Sequence, residues 1–213
     1  MSPRQVDPDL SSHLVEAAAK LLAEEGPKAL STRRLAAAVG TSTMAVYTRF
    51  GGKDDLVRAM VREGFRLLNQ RMTDVEETAD PVEDVVVLGW AYRRNALEHR
   101  ALYGVMFGGS NLGGFALTDE DRQHGRYTLT TLVKAIERCM SQGRFRPGDA
   151  QLVAHQMWIA LHGLVALELG GYLIEPYDAD ACFEAQVCGM LVGAGEDPDE
   201  AATTMKRARE RPA

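Results

Sequence analysis

The sequence predicts an all-α protein, and three observations carry that prediction. Apolar residues recur at spacings of three and four through nearly every segment. No stretch alternates apolar and polar residues for long enough to make a strand. Between the periodic segments stand clusters of Gly, Pro, Ser and Asp, the residues that stop and start helices. With 213 residues, the chain can form one domain and a small additional one.

In the first helix Leu10, Leu14, Ala17, Ala18, Leu21 and Leu22 share a face. Asp7, Asp9, Ser11 and Ser12 offer N-caps, and Gly26-Pro27 ends the run. Ser31 or Thr32 caps a short second helix, RRLAAAVG, with Gly40 expected just past its end. Thr41 and Ser42 make a turn, and a third short helix runs to Gly51-Gly52. A fourth opens near Lys53-Asp54-Asp55 and carries Leu56, Ala59, Met60, Leu67 and Leu68 inward. Beyond a polar stretch at 73–84, longer helices are expected at 82–99, 101–107, 118–142, 149–174 and 178–193, with a short polar one at 198–210. Breaks fall at GGSNLGG (108–114), SQGRFRPG (141–148) and EPYDAD (175–180). The expected organisation is a head at 1–55, a connecting helix at 56–75 and a larger domain at 76–213.

The third helix, within TSTMAVYTRF (41–50), carries the most information. Val46 and Phe50 stand four apart and share one face, whereas Met44, Tyr47 and Thr48 share another. Three short helices with a tight turn between the second and third describe a helix-turn-helix unit. Small Ala36 lets two helices cross closely, Gly40 can take the positive φ of the turn, and Val46 fills the gap between the helices. Met44, Tyr47, Thr48 and Arg49 then remain outside, on the part of the helix that would enter a DNA major groove. Met44 or Ala45 suits a thymine methyl, and the Thr43 and Thr48 hydroxyls can reach base edges or phosphates. Tyr47 can place its phenol on a phosphate, and Arg33 can do the same or reach a base. Lys53 opposes the dipole of the helix it opens, a placement that makes sense if a phosphate docks there.

Net charge is −6, which alone would argue against a nucleic-acid partner. It is unevenly spread, however: residues 1–72 carry +3 and the remainder −9. The stretch LSTRRLAAAVGTSTMAVYTRFGGKDDLVRAM resembles the DNA-binding head of the TetR (tetracycline-repressor-like) family. The matching features are the Gly40-Thr41-Ser42 turn, the Val46-Tyr47-Thr48-Arg49-Phe50 recognition helix and Lys53, with Arg49 standing where the family often has histidine. The resemblance spans about residues 10–60 and implies DNA contacts by Thr32, Arg33, Thr43, Met44, Ala45, Tyr47, Arg49 and Lys53. It also implies a C-terminal domain that dimerises and encloses a ligand pocket. There HRALYGVMFGG (99–109) and MWIALHGLVALELGGYL (157–173) resemble a subgroup with a Trp-x-x-x-His-Gly element, here Trp158, His162 and Gly163. Arg100 replaces the proline expected before ALY.

In 149–174, Val153, Met157, Leu161, Leu164, Val165 and Leu169 repeat at helical spacing with few charges between them, so this helix is buried on more than one side. Phe183, Val187, Met190 and Leu191 of the final apolar helix could pair with it. Helices 149–174 and 178–193 are therefore expected to build a four-helix homodimer interface, the alternative being ordinary core. For a ligand pocket the candidates are Trp90, Met106, Phe107, Tyr127, Met157, Trp158 and His162, although residues of these types at helical spacing are core more often than ligand contacts. The segment 108–114 is either a gate over that pocket or a plain connection.

Other chemistries lack a signature. His155 and His162 have no carboxylate partners to complete a metal site. The glycines of 108–114 lack the strand-before, helix-after setting of a phosphate loop. Cys139, Cys182 and Cys188 form no CxxC and suit a reducing cytosol, and Glu184 works against a reactive thiol near Cys182. No apolar run approaches the roughly 18–20 residues of a bilayer span, and the N-terminus reads as no secretory signal. The expectation is a cytoplasmic, cofactor-free, ligand-responsive repressor that binds palindromic operator DNA. A helical small-molecule-binding protein or enzyme is the alternative, without a nucleophile motif to support it.

Overall fold

The computed structural model describes residues 10–107, 115 and 117–211. The expected caps Asp7 and Asp9 and the 108–114 segment lie outside the described residues. Among the described residues every regular element is helical, and the chain forms two compact units. One comprises residues 1–67 and 99–125, the other 68–98 and 126–213. The described residues of 99–107 and 117–125 thus group with the first unit.

In the first unit α1 (Leu10–Glu25) buries Leu14, Val15, Ala18, Ala19 and Leu22, so Ser11 and Ser12 lie inside the helix rather than capping it. The helix-turn-helix follows as α2 (Thr32–Val39) and α3 (Thr43–Phe50). The Ser31 hydroxyl accepts from the Arg34 N–H at 3.3 Å and the Ser42 hydroxyl from the Ala45 N–H at 3.1 Å. Both helices are thus N-capped by side chains that satisfy otherwise orphaned donors. Gly40 adopts φ 69°, as the sharp exit from α2 requires. Leu35, Ala36 and Val46 are buried where the short helices pack against each other and their neighbours. α4 (Lys53–Thr73) begins in this unit and ends in the other.

Helix α6 (Arg100–Met106) packs on α1, and the Met106 side chain fills the space left by Gly64. The helix expected over 118–142 is instead three pieces: α7 (Asp119–Gln123), a 3₁₀ turn (His124–Leu129) and α8 (Thr130–Ser141). The interruption falls at Gly125, a weak helix former, which lies directly against the Phe65 ring where no Cβ would fit.

The second unit is built around α5 (Pro81–Glu98), buried on most of its circumference and packed by α8, α9 (Ala150–Leu169), α10 (Ala179–Ala194) and α11 (Pro198–Arg209). α9 stops earlier than the expected residue 174 because Gly170-Gly171 follows it, Gly171 at φ 73°. Asp84, 2% exposed, joins three elements. It accepts hydrogen bonds from Thr78 (2.8 and 3.0 Å), from Arg138 of α8 (2.9 Å) and from Arg211 just beyond α11 (3.0 Å). Burial opposes its ionisation, but the Thr78, Arg211 and Arg138 donors outweigh it and hold the carboxyl below the usual carboxylate range.

Candidate nucleic-acid interface and ligand cavity

α3 presents its outward face as the sequence pattern implies. Val46, 1% exposed, anchors the helix, whereas Met44 and Tyr47 are 71% and 63% exposed. Large side chains this open, on a helix with both ends capped, form a surface that nothing covers among the described residues. Thr32, Arg33, Thr43, Thr48 and Lys53 are also exposed. Ala45 is half-buried, and so is Arg49, whose Nη1 is buried without a hydrogen-bond partner. A depression of about 320 Å³ lies between the first residues of α2 and α4, walled by Ser31, Thr32, Tyr47, Gly52 and Lys53 among others. Two helix N-termini thus meet one phenol and one ammonium, an arrangement suited to an anion. The Lys53 ammonium donates to the Pro27 carbonyl at 3.2 Å, which holds it beside this depression.

The second unit contains a cavity; the space in and around it, counting that open to solvent at its mouth, is about 600 Å³. Leu68 and Met72 of α4 line it, with Val85, Leu88 and Tyr92 of α5. Thr128, Leu129 and Leu132 form another wall, and Met157, Trp158, Leu161, Val187, Met190 and Leu191 close it from α9 and α10. Of the pocket residues expected from sequence, Met157 and Trp158 are in this lining.

The remaining candidates lie elsewhere. His162 stands behind the wall: its ring lies 6.0 Å from that of Trp158, and its Nδ1 is 3.3 Å from the Tyr92 hydroxyl. Burial lowers its pKa, which favours neutral imidazole. Trp90 packs against Phe183 with ring centroids 4.1 Å apart and the rings tilted by 38°, and the Arg93 guanidinium lies 5.4 Å from each ring. Met106 and Phe107 belong to the first unit, where Phe107 packs edge-on to Phe65 at 5.9 Å. Tyr127 is 41% exposed. Sequence reasoning missed Leu68, Met72, Tyr92, Thr128, Val187 and Met190 as cavity walls. Spacing marks such residues as inward-facing, but it cannot separate a filled interior from one with a void.

α9 and α10 also carry apolar surface outward. Leu152, Ile159 and Leu167 are 57%, 61% and 48% exposed and recur at seven and eight residues along one face of α9. On α10, the exposed Ala181, Ala185, Gly189 and Gly193 recur at four, opposite the buried Phe183, Val187 and Leu191. By length and composition α9 is apolar enough to cross a membrane, contrary to the expectation that no run approaches that length. Its lateral packing on α5, α8 and α10 accounts for one side of that apolar character. Cys139 is buried, and burial pushes its thiol up to about 12, far from a reactive thiolate.

Comparison with known proteins identifies both halves. Residues 14–60 match the family model described as bacterial regulatory proteins, tetR family, and residues 85–190 match a tetracyclin repressor-like C-terminal domain. An HTH-type transcriptional regulator of Mycobacterium tuberculosis, Rv0681, is 30% identical over 183 residues, covering 84% of this chain and 79% of the relative. Among solved structures, a Rhodococcus sp. RHA1 protein of unknown function superposes with a TM-score of 0.75 at 24% identity, over 92% of this chain and all of the other. PfmR from Thermus thermophilus, a TetR family transcriptional regulator, gives 0.65 at 24%, covering 86% of this chain and 99% of that one. FadR from Bacillus subtilis, in complex with stearoyl-CoA, gives 0.69 at 19%, covering 85% and 98%. At these identities the structural likeness is one of fold. The helix-turn-helix geometry, the two matched domains and the relative that matches over most of both chains together make this chain a member of the TetR family of bacterial regulatory proteins, a DNA-binding transcriptional regulator.

Proposed function

We propose that the protein is a cytoplasmic homodimeric repressor that binds a palindromic operator and is released from it by a small molecule. The observation that carries the proposal is the open face of α3, where Met44 and Tyr47 project from a helix held by Val46 and its two caps. In this reading Met44, Ala45, Thr43 and Thr48 meet base edges or phosphates in the major groove, with Arg49 as a further donor. Tyr47, Lys53, Thr32 and Arg33 hold phosphates around the depression at the starts of α2 and α4. Two copies of α3 would lie about 34–36 Å apart, one helical turn of DNA.

The second copy is supplied by α9 and α10. The row of Ala and Gly on α10 lets backbones approach closely, and the neighbouring Leu152, Ile159 and Leu167 supply apolar area. A two-fold pairing of these helices would cover both stripes in one isologous four-helix contact. Residues of the same two helices line the cavity from their inner sides, so an occupant would bear on the helices that set subunit spacing. A difference of 1–3 kcal/mol in effector affinity between DNA-bound and free states shifts operator affinity by roughly 5–150-fold. We assign the Trp158-x-x-x-His162-Gly163 element to a subgroup marker: Trp158 lines the cavity, and Gly163 leaves open space on the outer side of α9.

Selection from a random duplex library tests the proposal. The expected outcome is an enriched inverted repeat with half-site centres about 10 bp apart or a multiple of that. Recovery of no common sequence would rule out specific operator binding.

A further inference from the structure

The cavity of the second unit is discriminating in charge and permissive in shape, and we propose that its occupant is an uncharged, mainly apolar small molecule carrying one polar group such as a hydroxyl or carbonyl. This deepens the reading of the cavity as the effector site and rests on it. Among the described residues no charged side chain lines the cavity, and Tyr92, Thr128 and the Trp158 indole N–H are its only polar side chains. A charged occupant would lose its hydration without gaining a counter-ion, which strongly disfavours it.

The charged groups on the surrounding helices do not repair that deficit. Arg93, 5% exposed, is held at 2.7 Å by Glu168 on α9 and at 2.7 Å by Asp180 on α10. Asp84 is taken by Arg138 and Arg211, and Glu98 by Arg71. Each of these charges has an opposite partner, and none of them lines the cavity. His162, behind Trp158 and Tyr92, is held neutral by its burial and adds no cation.

Shape tolerance has a separate basis. Met72, Met157 and Met190 line the cavity from three different helices. Unbranched, polarisable thioether chains refit around occupants of different outline more easily than branched ones do.

A matched series separates charge from size: decan-1-ol, decanoate and decyltrimethylammonium share one chain and differ in the head. Their affinities for the full-length protein are measured at pH 7.5 by isothermal titration, below aggregation concentrations, with naphthalen-2-ol as a neutral probe of another shape. Decan-1-ol is expected to bind at least tenfold more tightly than either ion, and naphthalen-2-ol within about tenfold of decan-1-ol. Met157→Trp and Met190→Trp, each checked for native circular dichroism, are expected to weaken decan-1-ol tenfold or more. An ion that binds as tightly as decan-1-ol, absence of binding by every probe, or folded filled variants with unchanged affinity would overturn the assignment. If decan-1-ol binds as expected but leaves DNA affinity untouched, the ligand class stands and the effector role of the cavity fails.

Discussion

His162 illustrates how one side chain links burial to pH. Its imidazole is enclosed, so the folded-state pKa lies below the unfolded value of about 6.5. Between those two values the unfolded chain binds more protons, so stability rises with pH across that window. The contribution is complete above about pH 6.5 and is lost as pH falls toward the folded pKa. Urea midpoints at pH 7.5 and 5.5 should therefore differ more for the wild type than for His162→Gln. An equal difference in both proteins would assign the acid sensitivity to other groups. Residue type and spacing marked His162 as a candidate ligand contact. The fold places it behind Trp158, with its Nδ1 at the Tyr92 hydroxyl. A histidine seven residues from another reads the same in sequence whether it faces a void or supports the wall of one.

At the scale of elements, caps and breakers were legible because they act locally. Ser31, Gly40, Ser42 and Gly51 end α2 and α3 where the sequence expects, since each satisfies or bends the backbone within a few residues of itself. The break inside 118–142 was not legible, because its cause, the Phe65 ring against Gly125, is far away in the chain. The anchoring of α5 to α8 and to the end of α11 is non-local in the same way. Asp84→Asn removes the charge that faces Arg138 and Arg211 and should lower unfolding stability by about 3 kcal/mol, measured by urea titration at pH 7. A loss under about 1 kcal/mol would mean that the arginines find other acceptors, such as Glu83. α10 offers a different test. Gly189 has open space where a Cβ would point, so Gly189→Ala should keep the dimer, whereas Gly189→Arg should yield monomer by light scattering. A dimeric Gly189→Arg protein would move the subunit contact to another surface.

For the whole molecule, DNA binding and self-association should be separable. Tyr47→Ala combined with Lys53→Ala removes the two phosphate donors proposed for the head and touches nothing on α9 or α10. It should reduce operator affinity by 100-fold or more, on the scale of two lost charge-assisted or hydroxyl contacts of roughly 1.5–3 kcal/mol each. The mass in solution should stay that of the unaltered protein. Wild-type affinity in the double variant would place the DNA surface elsewhere. The sequence by itself determined the helical class, the helix-turn-helix, the outward face of α3 and the apolar character of α9 and α10. Each of these follows from periodicity, capping and residue type, which act over one or two turns. Tertiary structure alone decided which residues enclose the cavity, that α6 packs on α1, and that the buried charges Arg93 and Asp84 meet partners on other helices. Those outcomes depend on side chains far apart in sequence meeting in space, and a void is a property of several helices at once.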